Sequence, residues 1–372
     1  RGRSGSAGRG RGGGPSGRGD GKDGEGDGPA NKKRRLKMER QSHRPEYETV
    51  TRAKEIWNKL RERKVPMDER KALVKELVSL LRGKFLRVAM KHDASRVVQS
   101  AVQFGSPEDR AEVLGELEGH LVELSQLTYA HFVVIKLITY LKGGAGAERL
   151  VKDLRLSMVK LATHSVGARV VQHAFDTLPS RLVGQLRAEF YGREYALFPE
   201  ADQPHHLDAV IKQRPDRREQ VLDHVNGVLT RLVPKGLLVF SFAHDLLWEY
   251  MRHCGPRRLH ALVPSLLDSY MHLLSTRSGA RAAAMCAAYG GAKDRKRMMR
   301  ALKGFVGPSL AHRDAYLAVM RLVLSVDDTV ACQKAVLSEL LQPMPRQASA
   351  GGKLDMTKGA EEWVPRNASK PK

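Results

Sequence analysis

From about Pro45 to Gln342, apolar residues return at helical spacing. Val and Ile share that spacing instead of alternating with polar residues as strands require. The pattern predicts an all-α domain over 45–342 with no sheet. Ser106-Pro107-Glu108-Asp109 is a helix opening: Ser can cap, Pro suits the first turn, and Asp109 can reach back to the cap N–H. Gly83, Gly105, Gly119, Gly143-Gly144, Gly255-Pro256 and Gly307-Pro308 are expected to separate the helices. Outside that span the pattern is lost. Thirteen of the 34 Gly fall between Gly2 and Gly28. Residues 1–44 are expected to be a disordered Arg/Gly-rich and basic extension, and 343–372 a disordered tail.

The helical region repeats itself. Asp93-Ala94-Ser95-Arg96-Val97-Val98-Gln99 recurs as Tyr129-Ala130-His131-Phe132-Val133-Val134-Ile135 and as Val166-Gly167-Ala168-Arg169-Val170-Val171-Gln172. Later copies are Ala243-His244-Asp245-Leu246-Leu247-Trp248, Gly279-Ala280-Arg281-Ala282-Ala283-Ala284 and Asp314-Ala315-Tyr316-Leu317-Ala318-Val319. The copies end at 99, 135, 172, 248, 284 and 319, in steps of 36, 37, 76, 36 and 35. The double step predicts a degenerate copy near His206-Leu207, within about 195–225. Flanking segments repeat too: Glu108–Leu114 matches Asp216–Leu222, and Asp68–Val74 has the same look. An incomplete copy around Ile56-Trp57 is expected to cap the N-terminal end. The total is seven to eight repeats. Units this small cannot bury an apolar face alone, so the expected architecture is a curved helical solenoid.

Charge narrows the partner. With 64 Lys and Arg against 41 Asp and Glu, the net charge is +23, which favours a polyanion and, first among these, nucleic acid. Cys254, Cys286 and Cys332 lie too far apart in sequence for a recognisable zinc cluster and are too few for a disulfide scaffold. No apolar stretch approaches a membrane span, so no membrane partner is expected. The chain starts at Arg1 without Met or an apolar signal, and reads as a fragment of an intracellular protein. Lys32-Lys33-Arg34-Arg35-Leu36-Lys37 suits nuclear import, a helix start or a phosphate-contacting arm; the Arg/Gly segments before it suit either loose RNA contact or a solvated linker. No phosphate-cradling Gly loop, nucleophile elbow or metal-ligand spacing is present. No enzyme, metal or cofactor is expected.

On a helix, Ser95, Arg96 and Gln99 share one edge, while Val97, Val98, Ala101 and Val102 face the stack. Ser-Arg-x-x-Gln on a helix, repeating at this period, resembles the Pumilio (PUF) repeat, and the resemblance covers about 45–342. It implies a right-handed α-solenoid of three-helix repeats. It also implies that the first and last residues of each triad read a base edge while the middle one stacks between bases. Carried over by position, Ser95 and Gln99 would read and Arg96 would stack; Ala168, Arg169 and Gln172 would do so more weakly. His131 and His244 hold the first position in their copies, and Phe132, Arg281 and Tyr316 the middle one. Phe132 suits core packing equally, and Trp248 suits the core better than a platform. Lys293, Arg295, Lys296, Arg297 and Arg300 form a basic helix that suits phosphate contact or a solvated face.

The triads depart from the family pattern. The last position is Ile135, Trp248, Ala284 or Val319 in four copies, and Ala fills the first in three. Such eroded triads resemble the divergent Puf-A branch, as do Phe190–Phe198, Ser275–Arg281, Ala292–Lys296 and Val326–Val330. That resemblance implies binding to RNA, structured or single-stranded, or to DNA, with little sequence preference. It further implies a nucleolar role in pre-rRNA processing for the large ribosomal subunit, alongside pre-60S assembly factors. The expected state is a monomer. The alternatives are a sequence-specific regulator of messenger RNA translation and a protein-only scaffold of the HEAT or armadillo kind.

Overall fold

Thirty-odd residues cannot close a core, so each group of helices here finds its core in the next group. The computed structural model describes residues 47–62, 64–197 and 206–341. The expected extension over 1–44, the tail over 343–372 and the segment 198–205 lie outside the described residues. The chain divides into Arg1–Thr49 and Val50–Lys372. Of the former only Tyr47–Thr49, at the start of the first helix, is described.

That helix, α1 (Tyr47–Leu60), buries Val50, Ala53, Ile56 and Leu60. Units of three helices follow. The first holds α2 (Met67–Leu81), α3 (Phe85–Met90) and α4 (Ser95–Phe104); the second α5 (Pro107–Leu117), α6 (Leu121–Gln126) and α7 (His131–Tyr140). The third holds α8 (Ala145–Leu154), α9 (Met158–Ala162) and α10 (Gly167–Thr177). The fourth is irregular, with α11 (Ser180–Arg187), a tight turn over Ala188–Phe190, α12 (Arg193–Leu197) and α13 (Leu207–Gln213). The fifth runs from α14 (Arg218–Leu232) through two tight turns to α15 (Ser241–His253). The sixth holds α16 (Gly255–Leu266), α17 (Tyr270–Leu273) and α18 (Arg277–Tyr289); the seventh α19 (Ala292–Leu302), α20 (Val306–Ala311) and α21 (Tyr316–Ser325). The described chain ends with α22 (Thr329–Cys332) and α23 (Ser338–Leu340). No strand occurs among the described residues, and none of their helices is long and apolar enough to cross a membrane. The fold is an all-α solenoid of Pumilio-like three-helix repeats.

The third helices stack in a row, α4 on α7 on α10 and α15 on α18 on α21. Val97, Val98, Ala101 and Val102 are wholly buried, as the helical wheel demands, and so are their counterparts Val133, Val134, Leu137 and Ile138. Small residues let the row close up. A Cβ on Gly279 would lie 2.2 Å from the Leu273 carbonyl oxygen, so only Gly fits there. Near His206-Leu207, where the degenerate copy was expected, the described residues hold only short helices. There α13 packs on α15, yet α10 also touches α15 directly, so the row closes past it. Contrary to the expectation from sequence, Gly307-Pro308 does not separate helices. Both sit in the first turn of α20, where Pro needs no N–H partner.

The repeats are also tied by a polar ladder. A carboxylate near the end of one first helix accepts backbone N–H groups at the start of the preceding repeat's second helix. Glu116 accepts from Gly83 (2.6 Å) and Phe85 (3.2 Å), and Asp153 from Leu121 (3.2 Å). Glu189 accepts from Met158 (2.8 Å) and Val159 (3.2 Å), and Glu339 from Gly304 (2.7 Å) and Val306 (2.8 Å). Each carboxylate caps a second helix of only five or six residues, whose early N–H groups have no internal acceptor.

The turn before the second helix takes a left-handed residue in four of the repeats. Gly83, Gly119 and Gly304 take it at φ +72°, +81° and +84°. The third repeat places Leu156 there at φ +69°, with its side chain exposed. A Cβ in that region is strained, and little packing compensates it. Leu156→Gly is therefore expected to stabilise the protein by about 0.5–1 kcal/mol, read as a higher urea midpoint. An unchanged or lower midpoint would show that the turn carries no strain.

Candidate nucleic-acid interface

The third-helix row presents the three triad positions very differently. The first is buried in all six copies: Ser95, His131, Ala168, His244, Ala280 and Ala315. Ser95 Oγ donates to the Tyr129 carbonyl in the next repeat (2.9 Å) and accepts from Gln99 Nε2 (3.2 Å). His131 Nδ1 pairs with the Leu127 carbonyl (3.1 Å). His244 is held at both nitrogens, Nε2 to the Leu238 carbonyl (2.6 Å) and Nδ1 to Thr276 Oγ1 (2.8 Å). The expectation that Ser95, His131 and His244 face a ligand is corrected. The next repeat covers this position, so a polar side chain there must be satisfied inside the protein.

The middle position is the accessible one. Arg96, Phe132, Arg169 and Tyr316 are exposed, and Asp245 and Arg281 half-buried. Neither Arg96 nor Arg169 has a carboxylate within ion-pair distance among the described residues, which answers the reading that they serve acidic neighbours. The Phe132 ring is 43% exposed and rests on His131 at 3.9 Å between centroids, so core packing does not claim it. Arg281 lies 5.7 Å over the half-buried Trp248 ring, and Arg252 approaches the same ring at 6.0 Å. Tyr129, which sequence reasoning passed over, is also exposed, edge-on to His92 at 4.0 Å. Its place at the head of the repeating window was the available signal.

At the last position both glutamines bond within the protein, Gln172 through its whole amide and Gln99 through its Nε2. Gln99 holds Ser95. Gln172 Nε2 donates to Asp176 (2.8 and 2.9 Å) and to Ser241 Oγ (2.7 Å), while its Oε1 accepts from the Phe242 N–H (3.2 Å). Gln172 thus splices α10 to α15 and does not present its amide to a base.

The basic helix α19 is a first helix and lies outside the third-helix row. Its Arg295 closes the end of α18, donating to the Ala287 (3.0 Å) and Ala288 (3.2 Å) carbonyls, as Arg110 does to Val102 (2.9 Å) and Gln103 (3.3 Å). Arg297 pairs with Asp268 at 2.7 Å and Lys296 with Asp328 at 3.4 Å. Of the five basic residues of this helix, Lys293 and Arg300 are exposed without an ion-pair partner among the described residues, and Arg300 Nε donates to the Lys296 carbonyl (3.3 Å). Asp294 is the one carboxylate within this helix, and those that pair with its cations, Asp268, Asp327 and Asp328, lie about thirty residues away in the chain.

Comparison with known proteins agrees with this architecture. A model of the Pumilio-family RNA binding repeat matches residues 86–118 and 157–189, which span the ladder carboxylates Glu116 and Glu189. The chain is a Pumilio-repeat protein. It is 30% identical over 317 residues to Pumilio homolog 3 of Rattus norvegicus, covering 84% of this chain and 49% of that protein. Pumilio homology domain family member 6 of Schizosaccharomyces pombe is 28% identical over 311 residues, 82% of this chain and 48% of the relative. The chain spans about half the length of the curated relatives it matches. The crystal structure of human Puf-A in complex with DNA superposes with a TM-score of 0.73 at 27% identity, over 80% of this chain and 59% of that one. The structure of human Puf-A alone gives 0.71 at 26% identity, over 79% and 57%.

Two of these Pumilio repeats carry His at the buried first position, with a consequence for stability. Burial pushes both imidazoles below their ordinary range, against the pull of the carbonyls that His131 and His244 bond. The Leu238 carbonyl can only accept, so the imidazole proton sits on Nε2, and Thr276 Oγ1, which accepts the Gly279 N–H (3.0 Å), donates its own proton to His244 Nδ1. A second imidazole proton would face that hydroxyl. With the folded pKa lowered, the stabilisation is present above the unfolded value of about 6.5 and is lost as pH falls below it. The thermal midpoint is expected to drop from about pH 7 to about pH 5.5. His244→Gln should flatten that drop in calorimetry while lowering the midpoint at neutral pH; an equally steep drop in the variant would clear His244 of the effect.

Proposed function

We propose that this protein binds RNA with little sequence preference along its third-helix row. The observation that carries this is the contrast between triad positions. The positions able to hydrogen-bond a base edge are buried, apolar or engaged, and the accessible middle position offers Arg96, Phe132, Arg169, Arg281 and Tyr316. Aromatic rings and guanidinium planes stack on any base, and charge meets any phosphate. DNA is a second ligand under the same chemistry, and the DNA complex of human Puf-A supports that extension. The role is that of a binding protein with no catalytic step. Its place, on this reading, is large-subunit ribosome biogenesis: a monomer in the nucleolus, on pre-rRNA, among pre-60S assembly factors. That assignment rests on the likeness to Puf-A.

Affinity should fall steeply with salt, and equally for unrelated single-stranded sequences. Arg96→Ala with Arg169→Ala removes two phosphate contacts, so the log–log salt slope should flatten by about 1.4, with a similar loss for every sequence tested. A preference above about a hundredfold for one short motif would instead favour the messenger-RNA regulator. Crosslinking followed by sequencing of bound RNA from cells should recover large-subunit precursor RNA; recovery of messenger RNA alone would overturn the ribosomal assignment.

A further inference from the structure

The middle positions read Arg96, Phe132, Arg169, Asp245, Arg281 and Tyr316 in row order. One carboxylate interrupts a series otherwise of cations and aromatics, and it does so where the row is already irregular. Because α10 and α15 are spliced by Gln172, a strand leaving Arg169 meets Asp245 next, with no intact repeat between them.

Asp245 is not alone. Asp176 is exposed on the adjoining turn of α10 and held toward Gln172. Glu249, one turn along α15, is shielded, pairing with Arg187 (3.2 Å), Tyr191 Oη (2.7 Å) and His206 (3.1 Å). Asp208 on α13 takes up both Arg252 (2.8 Å) and His253. Among the described residues Asp245 has only the far side of Arg187 as an ion-pair partner, at 3.5 Å, and its side chain stays 42% exposed. Four carboxylates (Asp176, Asp208, Asp245, Glu249) face two guanidiniums (Arg187, Arg252), and 2 − 4 leaves −2. On either side the sign reverses. Arg96 and Arg169 flank Phe132 before the break, and Arg281 stands over Trp248 beside Tyr316 after it.

Resting on the reading that the row binds single-stranded nucleic acid, we propose that it does so in two separate tracts. The first is Arg96–Phe132–Arg169, edged by Tyr129, and the second Trp248–Arg281–Tyr316. Asp245 with Asp176 repels phosphate between them, so a strand leaves the surface there or two strand segments are held at once. A protein built this way clasps two stretches of an RNA and does not follow one continuous run.

The test compares oligouridine probes of about five and about fifteen nucleotides on the whole chain and on Asp245→Asn. The substitution keeps the side-chain size and leaves Arg187 its bond to Glu249. Asp223→Asn makes the same charge change on α14, outside the row. Asp245→Asn should tighten the long probe by about threefold or more and leave the short probe within about twofold. Asp223→Asn should change neither beyond that. Equal tightening of both probes, or the same gain from Asp223→Asn, would mean a general field effect and overturn the two-tract proposal alone. So would an unchanged long-probe affinity. Failure of the unaltered protein to bind either probe would overturn the proposed function and this inference with it.

Discussion

No repeat of this protein can bury its own apolar face, and that constraint decides what every other side chain is free to do. Two or three helices spanning about 36 residues leave one wall of Val, Leu and Ala open until the next unit covers it. Covering it also brings polar atoms into the interface, and a polar atom buried without a partner costs about 1–3 kcal/mol. The ladder of Glu116, Asp153, Glu189 and Glu339 is the response. Each carboxylate satisfies backbone groups of the repeat before it, so stacking and hydrogen bonding are one event. Burial pushes the Glu189 carboxyl up, against the two N–H groups it serves. The exposed pairs between first helices, such as Arg149–Glu118 and Arg258–Glu219, add little energy individually and mainly set alignment.

The interface follows from the same constraint. The first triad position sits where a third helix meets the loop of the next repeat, so its side chain is used for assembly. Ser95 does this with a hydroxyl, His244 with a ring, and Ala168, Ala280 and Ala315 by being small. The middle position, a hundred degrees round the helix, is exposed in four copies and half-buried in the other two. What remains outside is a line of cationic and aromatic side chains, broken by Asp245, with no base-reading pair beside them.

Much of this was legible in the sequence, and the rest was hidden for definable reasons. Periodicity placed the third helices because burial of Val97, Val98, Ala101 and Val102 is a property of one helix and its nearest neighbour. The capping box at Ser106 was legible because it is closed within four residues: Asp109 N–H reaches Ser106 Oγ at 3.2 Å and Ser106 N–H reaches Asp109 at 2.8 Å. Ser95 was misjudged because a helical wheel shows which residues share an edge and not what lies against that edge. Arg297 was misjudged because its partner, Asp268, is 29 positions away. Gln172 shows the limit most clearly. Its partners, Ser241 and Phe242, are seventy residues on, across a degenerate copy whose shortness the sequence did not reveal.

Net charge is a weaker guide to the interface than +23 suggests. Many of the cations in the described repeats are spent across repeat boundaries: Arg52 on Glu76, Arg82 on Glu112, Arg181 on Glu148, Arg258 on Glu219 and Asp223. These align helices and have little field left for a ligand. Lys293 and Arg300 show how few remain on a helix that looks uniformly basic. Arg96 and Arg169 matter because they are exposed without a carboxylate partner and stand beside Phe132 on one line. Local excess of positive charge is what the proposed binding to a polyanion rests on, and local excess is also what Asp245 offsets where α15 meets α10.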